Sequence, residues 1–154
     1  MQVDQDKNRA KVFLKSIQSE IENIFSIYNE RAGKLIEELD DNSIFEFIFP
    51  IKQNYFNVYE SQASLLGLVK SDHLRSSIIK CYIEMKGLVD GFLMNNTLLE
   101  KVKIYINRTD QDSQQHLNYL IASLANYAQE IKKQHGTIRE LIQEISTEID
   151  NYLE

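Results

Sequence analysis

The sequence predicts an all-α protein: an up-and-down bundle of three long helices, plus one short helix and an extended aromatic-rich connection, in a single domain over 1–154. Three observations predict it. A single proline and five glycines in 154 residues leave little turn-forming material, whereas a β-rich fold of this length needs many turns. Apolar residues recur three and four apart over long stretches, which is the period of one helix face. Polar clusters at Asp40–Ser43, Lys70–Asp72 and Asn107–Ser113 fall where that periodicity stops.

The first helix is expected over about 4–39, with Leu14, Ile17, Ile21, Ile24, Tyr28 and Leu35 as its stripe and Phe13, Phe25 and Ile36 widening it. Such a width suits a helix covered by more than one neighbour. Gly33 weakens it locally, by about 1 kcal/mol relative to alanine. Ile44–Gln53 has no helical period but is too apolar for a solvated loop, and Pro50 keeps Phe49 out of the helical region. The stretch reads as an extended, packed connection, because a lone strand leaves its backbone groups without partners.

A short helix follows over 54–69, with Asn54 as its N-cap and Tyr55, Val58, Tyr59, Leu65, Leu66 and Val69 as its apolar positions. The central helix spans 72–106, capped by Ser71 or Asp72, with Leu74, Ile78, Tyr82, Met85, Val89, Phe92, Leu99, Val102 and Ile106 in its stripe. The last, over about 113–153, carries a coiled-coil-like seam of Leu117, Ile121, Leu124, Ala128, Ile131, His135, Ile138, Ile142, Ile145, Ile149 and Tyr152. Seams of this kind favour long helices, each roughly 50 Å at 1.5 Å per residue, packed at shallow angles. Gly136-Thr137 interrupts this helix on paper, and Thr137 with Glu140 resembles a capping box. The apolar phase is unchanged across the site, so a continuous helix is the favoured reading.

A formal net charge of -6, with a pI near 5.1, argues against nucleic acid as a partner, since phosphate neutralisation needs a concentrated basic face. One cysteine, Cys81, rules out an internal disulfide and fits a reducing compartment. Residues 1–15 are polar and charged, without the apolar core of a signal peptide. No stretch approaches the roughly 18–20 apolar residues of a membrane span. The expectation is a soluble chain in the cytoplasm.

Neither a metal nor a cofactor is expected. Di-iron bundles place Glu-x-x-His pairs inward, and His73, His116 and His135 all lack the glutamate. His135, on the seam, reads as a core histidine bonded to a neighbouring helix, and Cys81, with Ile78 and Met85 one turn away, as a small buried hydrophobe. No catalytic constellation is visible, so the protein is not expected to be an enzyme. Gly87 and Gly91, with Asn95 one turn on, form a run of small and polar residues that suits close helix packing or a ligand groove. The aromatic cluster Phe45, Phe47, Phe49, Tyr55, Phe56 and Tyr59 reads as a hydrophobic lid or, failing that, as an interaction surface, with Phe47 and Phe56 as the members then exposed. Gly87, Gly91, Asn95, Phe47, Tyr55, Phe56 and Tyr59 are therefore the candidate interaction or ligand groove.

Within Phe49–Asn96, the segment Tyr55-Phe56-x-Val58-Tyr59, a Leu-Gly before an acidic joint, Lys86-Gly87-Leu88-x-Asp90 and Asn95-Asn96 resemble a small uncharacterised family of bacterial helical proteins. Many of its members have one transmembrane segment just before the first helix, with this kind of domain on the cytoplasmic side. The resemblance thus implies a cytoplasmic module at the inner membrane, held only through a segment absent from this chain; it implies no activity. Lys7, Arg9, Lys11 and Lys15 suit a cytoplasmic membrane flank, and suit an ordinary solvated helix equally well.

Two functions are in competition. The first is a non-enzymatic helical interaction or scaffold module, the cytoplasmic portion of a membrane-anchored bacterial protein, associating with a protein partner or with itself as a homo-oligomer. The second is a ligand-sensing helical bundle with a pocket between its helices.

Overall fold

A computed structural model describes residues 1–51 and 54–154. Five α-helices, a π turn and a 3-10 turn make up its regular structure, and the described residues contain no strand. The fold is all-α. By contacts the chain divides into two compact units. The first comprises Met1–Tyr28, Gln53–Glu84 and Thr137–Glu154; the second comprises Asn29–Lys52 and Met85–Gly136.

The first helical region is not uniform. Helix α1 runs Gln2–Tyr28, a π turn occupies Asn29–Gly33, and α2 covers Lys34–Glu37. A π turn contains one residue more than an α turn, so the inward phase moves on by one position. The predicted stripe places both Leu35 and Ile36 inside; Ile36 is fully buried, but Leu35 is 46% exposed. A β-carbon at Gly33 would displace the Asn29 side chain from its present position.

In the first unit, α1 packs through Phe13, Leu14, Ile17 and Ile21, all fully buried. Its polar edge fixes its direction against the end of α5 (Gln111–Leu153): Lys11 Nζ donates to the Leu153 carbonyl, Gln18 Nε2 to Asp150 at 3.1 Å, and Ser146 Oγ to Glu22 at 2.7 Å. These pairings make the two segments antiparallel. Helix α3 is shorter than expected, Asn57–Gln62, and passes into a 3-10 turn at Ala63–Leu68, a common ending for a helix. Both pack on α1. Ser71 then caps α4 (Asp72–Tyr105), its Oγ accepting from the Leu74 amide at 3.1 Å.

In the second unit, Leu98 of α4 meets Leu120 and Leu124 of α5, flanked by Ile44, Leu99, Val102, Tyr105 and Tyr127. Leu120 is buried where the predicted seam has Ile121, which is 42% exposed, and Ile106 lies past the end of α4, exposed. Asp110 starts α5, accepting from the Ser113 amide at 2.9 Å. That bond, with a second from the Ser113 hydroxyl, holds the Asp110 carboxyl below its ordinary range. Helix α5 is unbroken at Gly136-Thr137. Lys52 and Gln53, the end of the expected connection, lie outside the described residues.

Candidate functional site

The seven candidate residues do not share one unit. Gly87, Gly91, Asn95 and Phe47 belong to the second, and Tyr55, Phe56 and Tyr59 to the first.

In the second unit the two glycines bring α5 side chains against the α4 backbone. A β-carbon at Gly91 would lie 3.4 Å from Ile131 Cγ1, and one at Gly87 would lie 2.8 Å from Gln134 Nε2. The space above them is thus taken by Ile131 and Gln134. One turn further on, Asn95 is fully buried and turns to the connection, where its Nδ2 donates to the Phe45 carbonyl at 2.8 Å. Its neighbour Asn96 grips Phe49 twice: the Phe49 amide donates to Oδ1 at 3.1 Å, and Nδ2 donates to the Phe49 carbonyl at 2.9 Å. A primary amide carries both donor and acceptor, so it completes an extended residue much as a neighbouring strand does. Asn95 Oδ1 remains buried without a partner among the described residues, an arrangement that ordinarily costs about 1–3 kcal/mol.

The rings of the connection follow these bonds. Phe49 stacks on Phe92 of α4 with centroids 4.6 Å apart and planes 9° from parallel, and Phe45 leans on the same ring at 5.8 Å. Both are buried. Phe47 is half-buried, with its ring 5.9 Å from Phe45 and 6.1 Å from Phe49.

In the first unit the organising pair is Glu20 and Tyr82, which sequence reasoning missed as a pair. One Glu20 oxygen accepts from the Val58 amide at 2.6 Å; the other accepts from the Tyr59 amide at 3.2 Å and from the Tyr82 hydroxyl at 2.8 Å. A carboxylate supplied by α1 therefore caps α3. The predicted cap, Asn54, instead closes a local turn, its Oδ1 accepting from the Phe56 amide at 3.1 Å. Tyr82 is 1% exposed, and burial, then its bond to Glu20, push its phenol far above the ordinary range. Tyr59 stacks on the Tyr82 ring at 3.9 Å, and Phe56 meets it edge-on at 5.9 Å. Phe56 is buried and Tyr55 half-buried. Nothing in the chain near Glu20 marks it as a cap; only an acceptor-rich side chain on the face toward α3 could have been sought.

The remaining chemistry-bearing groups are distributed. Cys81 is fully buried, and burial, aided by the Glu84 charge, pushes its thiol up to about 12, which leaves it unreactive at neutral pH. His135 is 2% exposed, with Nε2 3.0 Å from a Glu37 oxygen. A recess of about 530 Å³ in the first unit is lined by Lys15, Ser19, Glu20, Asn23, Ile24 and Val58 among others. Among the described residues, no helix is long and apolar enough to cross a membrane.

Compared with known proteins, the chain matches no protein family, no curated protein and no solved structure.

Proposed function

We propose that this chain is a non-enzymatic helical interaction module, the cytoplasmic portion of a membrane-anchored bacterial protein. The architecture behind this reading is an up-and-down bundle in which three long helices share coiled-coil-like seams and the aromatic connection closes one side. One observation carries it. The outer face of α4 keeps large apolar side chains in solvent: Ile79 and Ile83, one turn apart in the first unit, and Leu93, Met94 and Ile104 in the second, with exposures from 40% to 63%. Single exposed apolar residues are ordinary, but Ile79 and Ile83, one turn apart on one helix face, make a strip that a partner helix can cover. Self-association or a protein partner fits that strip, and the acidic balance of the chain disfavours nucleic acid.

The test is association itself. Light scattering across a concentration series is expected to show a dimer or larger species, and Ile83→Lys to return it to the monomer. A wild-type chain that stays monomeric and retrieves no partner from lysate sinks the reading. Anchoring is supported by Lys7, Arg9, Lys11 and Lys15 on α1. The gene upstream of Met1 decides it: about 20 apolar codons in frame support the anchor, and a stop codon removes it.

A ligand-sensing bundle is the second reading, favoured by the partnerless buried Asn95 Oδ1, an acceptor that a donor-bearing ligand would satisfy. A metabolite panel that leaves the melting temperature unmoved disposes of it.

A further inference from the structure

Three side chains apart from Glu20 and Tyr82 converge on the surface of the first unit. His73 stands in the first turn of α4, while Glu144 and Glu148 stand one helical turn apart on α5. His73 Nε2 lies 3.4 Å from a Glu144 oxygen, and Nδ1 lies 2.7 Å from a Glu148 oxygen. One ring nitrogen and one oxygen of each carboxylate all lie within 4.8 Å of one another. The imidazole is a shared partner of both carboxylates.

We propose that His73, Glu144 and Glu148 form a binding site for a divalent transition-metal ion, with zinc as the ion the donor set fits best. One imidazole nitrogen and two carboxylate oxygens are a mixed set that zinc accepts at about 2.0–2.2 Å, with water in its fourth position. Tetrahedral donors at such lengths stand roughly 3.3–3.5 Å apart, so the three groups need to close in by at most about 1.5 Å. Their side chains are 68%, 46% and 27% exposed and are free to make that rotation. The backbone has already done the larger part. Two carboxylates at i and i+4 face the same way on α5 and repel each other, a repulsion that a cation reverses. Magnesium and calcium are the poorer fits, since both demand six or more ligands, nearly all oxygen. Motif reasoning confined to histidine pairs on one helix misses the site, because its ligands come from two helices.

Bound zinc would tie the start of α4 to the last third of α5 within the first unit. The proposal goes beyond the association reading, because it concerns the single chain and stands or falls without a partner. Its test is calorimetric titration of the tag-free chain with zinc chloride, followed by cobalt(II) absorption to report the coordination geometry. One saturable zinc per chain is expected, with His73→Ala and Glu148→Gln each weakening binding by about 10–100-fold, and His116→Ala leaving it unchanged. Far-UV circular dichroism confirms that the variants keep their helices. Absence of saturable binding in the wild type overturns the proposal. So does a His73→Ala chain that binds like the wild type, or zinc that magnesium displaces at equal concentration.

Discussion

Each unit holds a short segment against a long helix, and the two use different chemistry to do it. In the first, the Glu20 carboxylate takes the amides that open α3 and the Tyr82 hydroxyl. In the second, Asn95 and Asn96 take the backbone of an extended segment at Phe45 and Phe49. The difference follows from what each segment leaves unpaired. A helix start exposes only N–H groups, so a pure acceptor with negative charge is the matched partner, and the helix dipole adds to it. An extended residue exposes N–H and C=O together, so only a side chain that both donates and accepts completes it. The chemistry of each clamp is read from the backbone it serves.

Swapping that chemistry breaks the comparison, and the largest effect is expected at Glu20. Glu20→Ala strips three donors of a charged acceptor and should cost about 3 kcal/mol, measured by urea unfolding. Glu20→Gln keeps an acceptor but loses the charge, and about half that loss is expected. Next comes Asn96→Asp, which keeps the bond from the Phe49 amide and sets a carboxylate against the Phe49 carbonyl. A loss of about 2 kcal/mol is expected, with Asn96→Ala close behind. An Asn96→Asp chain as stable as the wild type would show that the donor half of the amide contributes nothing.

Tyr82→Phe removes one bond to Glu20 and should cost about 1 kcal/mol. It also sharpens a pH effect. The Cys81 thiol and Tyr82 phenol are both held neutral in the folded chain, Cys81 up to about 12. The unfolded chain loses these protons at ordinary values, so stability is fully present below about pH 9 and declines as pH rises from there toward 12. Thermal melts between pH 8 and pH 11 should show this decline, and Tyr82→Phe should flatten its upper part. The smallest effect is a gain. Nothing lies within 4 Å of a β-carbon at Gly136, so Gly136→Ala in a continuous α5 should stabilise by about 0.5–1 kcal/mol. A loss there would mean the helix needs a break.

Long-range order was legible in the sequence wherever one face repeats. Leu117, Leu124, Ala128, Ile131, Ile138, Ile142, Ile145 and Ile149 are all buried on α5, because a helix face is a local property of spacing. The unchanged phase across Gly136 likewise pointed to the continuous helix. The clamps were not legible. Glu20 caps an amide 38 residues away and Asn96 grips one 47 residues away, and no pattern near either residue records its partner. Asn54 looked like a cap because capping propensity is read locally, whereas a charged acceptor on another helix wins when it can reach. Asn95 stood out as part of a small-residue run, and Asn95-Asn96 as part of the family resemblance. The exposure of Leu35 was missed for a third reason: spacing rules assume 3.6 residues per turn, and the π turn breaks that assumption.

The π turn at Asn29–Gly33 has a consequence for how the gene can vary. It stores one residue of slack in a segment that otherwise tolerates none. Deleting any one of its five positions would let the turn close to an ordinary α turn and leave Ile36 on the face it now fills. A single-codon deletion there should be borne far better than one in the middle of α1.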